Sequence, residues 1–187
     1  MTEQTTERRI IADSAAQMDW KDINWFSPDE FPEGVLEHVE AELVLSLEGY
    51  RDLLGYPVIP SPLPGGWFRK DGSPTSRHYA FNRLSDGGGV FPQCDIRHAF
   101  LVAMSCVWWG GIGVYLDTTG PSGKPEPMLH LDLRINLPKT VWMRYEGRYI
   151  YPVRSTAERN EFWQRLAEVS QPEPNPEPQP ERQEQAA

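Results

Sequence analysis

Residues 128–135 read Met-Leu-His-Leu-Asp-Leu-Arg-Ile. Apolar and polar residues alternate with a period of two. A strand sends successive side chains to opposite faces of its sheet, so this segment predicts a half-buried strand. Leu129, Leu131, Leu133 and Ile135 make its core side. His130, Asp132 and Arg134 project together from the other. A second strand is expected at 113–116, just after Gly110, Gly111 and Gly113 break a helix placed at 93–108. Residues 141–153 predict a hairpin with Glu146-Gly147 at its turn.

Helical signals flank this sheet. Leu36, Val39, Leu43, Leu47, Tyr50 and Leu54 recur at three- and four-residue steps, which predicts a helix over 35–54 that stops at Gly55. Ser27-Pro28-Asp29-Glu30 carries a serine cap, a proline at the first position and a glutamate three residues after the cap, the mark of a short helical turn. Ser155 with Glu158 repeats that spacing and starts a last helix. Residues 56–59 are a short strand candidate and 60–66 a Pro/Gly loop. The fold class expected is α+β: a small antiparallel sheet with helices packed on it.

The 187 residues fit one domain. Its expected limits are 20–169. Residues 1–19 form a flexible N-terminus, and 170–187, almost pure Pro, Glu, Gln and Asn, form a disordered tail with nothing to bury. Seven Trp, seven Tyr and seven Phe supply the core. No apolar run approaches the roughly 20 residues a bilayer demands, so no membrane insertion is expected. Residues 1–19 lack the apolar stretch of a secretory signal. A net charge of −9 without a basic stripe argues against nucleic acid as a partner. Cys94 and Cys106 are read as packed thiols within the helix at 93–108. His38, flanked by Glu37 and Glu40, is read as a solvated helix residue.

Two segments carry chemistry: Ser76-Arg77-His78-Tyr79, with Asp86 after it, and the strand holding His130 and Asp132. A catalytic zinc takes three protein ligands from His, Asp or Glu and keeps one position open for water, whose proton a nearby carboxylate can accept. His78 on a loop, an acidic residue after it and His130 on a strand would supply such a set.

Several phrases resemble the zinc D-Ala-D-Ala carboxypeptidases and endopeptidases of the Hedgehog/DD-peptidase superfamily. They are INWFSPDEF at 23–31, LEGYRDLLGYPVIPS at 47–61, SPTSRHY at 73–79, GGIGVYL at 110–116 and MLHLDLR at 128–134. The resemblance spans about 24–151. It implies zinc held by His78 and His130, and peptidoglycan peptides as substrate. In the family the first motif also supplies an aspartate, seven residues after its histidine. Here the nearest carboxylate is Asp86, at eight. Aligned instead with family members reading R-L-S-D-A-x-D-V-F-P, residues 83–92 place Gly89 where the metal aspartate belongs. The resemblance leaves Asp86 as the third metal residue, and Glu126 or Asp132 as catalytic base. Asp132 has an alternative role, orienting His130 or Arg134. Arg69, Arg77 and Arg134 are candidates for holding a substrate carboxylate. The functional expectation is a zinc peptidase of cell-wall peptides, a hydrolase located in the cytoplasm or delivered by a bacteriophage. The alternative is a degenerate member serving as a structural or attachment component of a virion, with other virion proteins as partners.

Overall fold

The computed structural model describes residues 14–70, 76–78, 84–134 and 138–169. Six strands form one sheet: β1 (Val58–Pro60), β2 (Gly87–Pro92), β3 (Gly111–Tyr115), β4 (Met128–Asp132), β5 (Thr140–Tyr145) and β6 (Arg148–Ile150), in the order β1-β2-β4-β3-β5-β6. Three α-helices accompany it: α1 (Ala41–Leu54), α2 (Ile96–Ser105) and α3 (Thr156–Glu168). The α+β class is as expected. The sheet is mixed rather than antiparallel, because β3 and β5 run parallel. The connection explains this. β4 ends at Asp132 opposite Gly111, where β3 begins. The chain therefore returns to the sheet at that end, and Thr140 pairs with Gly111. Gly110 lies where the chain crosses: its N–H donates to the Asp132 carbonyl at 2.9 Å, and a Cβ there would run into the Arg134 carbonyl.

β4 keeps the alternation of its sequence. Leu129 and Leu131 are buried in the core, while His130 and Asp132 lie on the opposite face. The hairpin turn also stands where its residues put it. Glu146 has φ 50° and Gly147 φ 72°, the left-handed pair that suits a two-residue turn between twisted strands. Ser155 caps α3 by accepting from the Glu158 N–H.

Two helical expectations need correction. The predicted helix over 35–54 is broken: a 3₁₀ turn, Leu36–His38, is followed by extended backbone, and α1 starts only at Ala41. Tertiary hydrogen bonds outweigh the helical periodicity here. Ser85 N–H donates to the His38 carbonyl at 2.7 Å, and Glu40 N–H to the Ser85 carbonyl at 2.9 Å. His38 is half-buried, its ring 4.2 Å from that of Phe68. The helix at 93–108 shrinks to α2, since Asp95 accepts from the Arg97 and His98 N–H groups and so caps it. Both cysteines then fall just outside the helix, though both are buried, and burial pushes the Cys94 thiol up to about 12. Residues 87–92, with three glycines and no strand expected there, form a fully buried strand.

The core joins the inner face of the sheet to α1, α2 and α3. Leu43, Leu47, Tyr50 and Leu54 of α1 are buried, and Tyr50 OH donates to the Ala99 carbonyl of α2 at 2.9 Å. Phe162 of α3 packs on Phe100 at 5.6 Å. The packed body already includes Ala15, before the expected limit at Trp20. Ala15 is fully buried, donates to the Val39 carbonyl and accepts from the Trp20 indole. Residues 1–13 and the tail at 170–187 lie outside the described residues, as does Ile135. No helix of the described residues is long and apolar enough to cross a membrane.

Candidate metal centre

His130 stands on a ridge between two glycine troughs. Gly87 and Gly89 of β2 pair with Asp132 and His130 on one side, and Gly111 and Gly113 of β3 pair with the same two residues on the other. Directly opposed residues share a face, so all four glycines lie on the face that carries the two polar side chains. The space is needed. A Cβ at Gly87 would lie 2.9 Å from Asp132 Cβ and 3.2 Å from His130 Cε1. One at Gly111 would meet the Asp132 carboxylate, and one at Gly113 the Trp142 indole, which packs on the His130 ring at 5.2 Å.

His78 comes to this ridge from 52 residues away. Its Nε2 lies 3.0 Å from His130 Nδ1. The segment carrying it is held by backbone and side chain together. Arg69 N–H donates to the His78 carbonyl at 2.5 Å. The buried Ser85 hydroxyl lies 2.5 Å from the Trp67 carbonyl, 2.9 Å from that of Arg77 and 3.1 Å from that of Gly87. One hydroxyl thus gathers the strand β2, the residue before His78 and the loop at Trp67. The Trp67 carbonyl is in turn 3.3 Å from His78 Nδ1.

These partners assign the tautomers. A carbonyl only accepts, so His78 carries its hydrogen on Nδ1 and leaves Nε2 bare. His130 Nε2 lies 3.0 Å from the Asp132 carboxylate, which also only accepts. With that hydrogen on Nε2, His130 turns Nδ1 toward His78 Nε2, 3.0 Å away. Two such nitrogens are held together by a proton shared between them or by a metal cation in its place. Burial first, and the neighbouring His130 second, push the His78 imidazole down to about 3. A proton on His78 is therefore disfavoured near neutrality. Each ring has its outer N–H fixed by an acceptor and its inner nitrogen free, the pattern of histidines that ligate a metal.

The other expected residues divide. Asp132 is fully buried and committed: besides His130 it accepts from Arg134 Nε at 2.6 Å and from the Arg134 backbone N–H at 3.2 Å. Burial would raise its carboxyl, but hydrogen bonds from His130 and Arg134 prevail and hold it well below the usual carboxylate range. Asp132 orients His130, the alternative role read from the sequence, and Arg134 is spent on Asp132 and on the Trp142 ring, 5.3 Å away. Arg77 and Asp86 form an ion pair with each other. Asp86 lies just before β2, outside the strand itself. Its Oδ1 is buried without a hydrogen-bond partner among the described residues. Glu126 accepts from Gln93 Nε2 at 2.8 Å. It precedes His130 by four residues, roughly 13 Å along an extended chain. Among the described residues, no three His, Cys, Asp or Glu side chains are grouped to hold a metal.

The two histidines line a cleft of about 560 Å³. Of the three candidate arginines only Arg69 lines it. Sequence reasoning missed Ser61, Tyr115, Met128 and the Arg144–Asp117 pair, joined at 2.8 Å, which also line it. One signal was available: Met128 shares the period-two face of His130. Nothing in the sequence pointed to the Trp67 carbonyl or the Ser85 clamp. The chain matches no family model, no curated protein and no solved structure.

Proposed function

We propose that this chain is a zinc metallopeptidase-like protein acting on short peptidoglycan peptides, with His78 and His130 as metal ligands. The observation that carries the reading is the His78–His130 pair: inner nitrogens bare and 3.0 Å apart, outer N–H groups tied to Trp67 and Asp132. Zinc accepts such imidazole nitrogens and, when bound, supplies a Lewis acid. The chain's own residues do the positioning. Asp132 and Arg134 fix the His130 ring, while Trp67 and Ser85 fix His78. Arg69 on the cleft wall suits a substrate carboxylate. The cleft has room for a few peptide residues. The resemblance of the 73–79 and 128–134 segments to cell-wall peptidases supplies the substrate class.

A second reading has its own observation. Gly89 lies directly opposite His130 and offers no ligand. Glu126 and Asp132 are both engaged elsewhere. These facts favour a degenerate peptidase fold that serves as an attachment or structural component, for instance of a phage particle.

Zinc titration of the metal-free protein and digestion of purified cell-wall sacculi separate the two. The peptidase reading expects one zinc per chain, lost in His78→Ala and His130→Ala, and release of peptides that stops in the same variants. Zinc binding without peptide release, or neither, leaves the second reading as the better one.

A further inference from the structure

The sheet face that carries His130 also carries a thioether sulfur. Met128 precedes His130 by two residues on β4, so both side chains leave the same face of the sheet. Its thioether lies over Gly89. A Cβ built on Gly89 would be 2.9 Å from Met128 Sδ and 3.3 Å from its Cε. Gly89 is the residue paired with His130. The sulfur therefore fills the room that a side chain at 89 would take, and Met128 lines the same cleft as both rings.

We propose that His78 Nε2, His130 Nδ1 and Met128 Sδ form a three-donor site that takes a soft monovalent ion, Cu(I), in preference to Zn²⁺. The argument is one of donor chemistry. Zinc in proteins is held by imidazole, thiolate and carboxylate, and a thioether is a poor partner for it. A thioether with two neutral imidazoles is a soft, uncharged set that suits Cu(I). Among the described residues the nearby carboxylates are engaged with other groups: Asp132 is turned to the outer nitrogen of His130, Asp86 is paired with Arg77, and Asp117 of the same cleft is paired with Arg144. The geometry asks for little movement. Two metal–nitrogen bonds of roughly 2.0–2.1 Å span about 3.3–3.5 Å at tetrahedral or trigonal angles. The nitrogens stand at 3.0 Å and need to part by only a few tenths of an ångström. Met128 has three rotatable bonds with which to bring its sulfur in.

The inference goes beyond the peptidase reading and shares only the two histidines with it. Its test is anaerobic titration of the full chain with Cu(I) against a chromogenic Cu(I) chelator, and with Zn²⁺ against a zinc dye. One tightly held Cu(I) per chain is expected, lost in His78→Ala and His130→Ala. Outer contacts alone change metal affinity by 10–100-fold, so loss of a direct ligand in Met128→Leu should weaken Cu(I) binding by at least about tenfold. Zinc affinity should be unchanged in that variant. Gly89→Asp should displace the thioether, lower Cu(I) affinity and raise zinc affinity. Equal Cu(I) affinity in the parent and Met128→Leu, both folded by circular dichroism, overturns the proposal. So does a parent that holds zinc more tightly than Cu(I). Zinc binding with peptide release and no Cu(I) preference would overturn this inference alone. Cu(I) held through Met128 with no peptide release would support it and overturn the peptidase reading.

Discussion

Ser85 has one hydroxyl proton and three carbonyls within reach of it. Alanine would leave buried carbonyls poorly satisfied and free the segment that presents His78. The expected cost of Ser85→Ala is about 1–3 kcal/mol, read from urea unfolding. Metal affinity should fall as well, because the Trp67 carbonyl would no longer hold the His78 ring. An unchanged affinity would show that Trp67 is fixed by other contacts. His78 itself makes stability depend on pH. Its folded value is about 3, against 6.5 for the free side chain. Between those two values the unfolded chain takes up a proton that the folded one refuses, so stability rises with pH across that window. Metal-free protein should therefore lose stability as pH falls below about 6.5. His78→Gln should flatten the slope between pH 5 and 7, where carboxylates contribute little. Equal slopes in the two proteins would mean that folding does not hold His78 neutral.

At the scale of the element, β3 has two faces with different duties. Gly111 faces the Asp132 carboxylate, and Val114 is buried in the core. In Gly111→Ala the new methyl group would displace Asp132 from His130. Overpacking of this kind costs roughly 1–3 kcal/mol. Val114→Ala removes core contacts at a comparable cost of about 1–3 kcal/mol. Only the first should also weaken metal binding. Parallel melting curves and metal titrations decide the matter, and a loss of affinity in Val114→Ala equal to that in Gly111→Ala would refute the division of faces. The same glycines explain why β2 was unreadable. Glycine has no side chain to pack and is depleted in strands, so 87–89 carries no strand signal. It is a strand here because the ridge on β4 needs the empty space beside it.

For the whole molecule the question is where the folded body begins. Composition set the limit at 20, but Ala15 is buried against Val39 and receives the Trp20 indole hydrogen bond. Removal of residues 1–13 should leave the melting temperature unchanged. Removal of 1–19 should cost about 2 kcal/mol through lost burial and hydrogen bonds, a drop of several degrees in a domain of this size. The Pro/Glu-rich stretch from 170 should be dispensable by the same measurement; a clear loss of stability on its removal would show that it packs.

The sequence by itself determined the features that depend on neighbours along the chain. The period-two pattern of 128–135 put His130 and Asp132 on one face, the spacing of Ser155 and Glu158 placed the start of α3, and Glu146-Gly147 made the turn between β5 and β6. It also named both histidines of the site. Tertiary structure alone decided which partner each polar group would take. Asp132 turned to His130 and Arg134, Asp86 to Arg77, and Glu126 to Gln93, so the carboxylates that spacing offered as ligand or base are engaged elsewhere. The helix expected from position 35 yielded to the pairing of Val39 with Ser85 for the same reason. A contact across 45 or 52 residues, such as Glu40 with Ser85 or His78 with His130, leaves no periodicity in the chain, yet once the backbone is folded it fixes a group as firmly as any local signal.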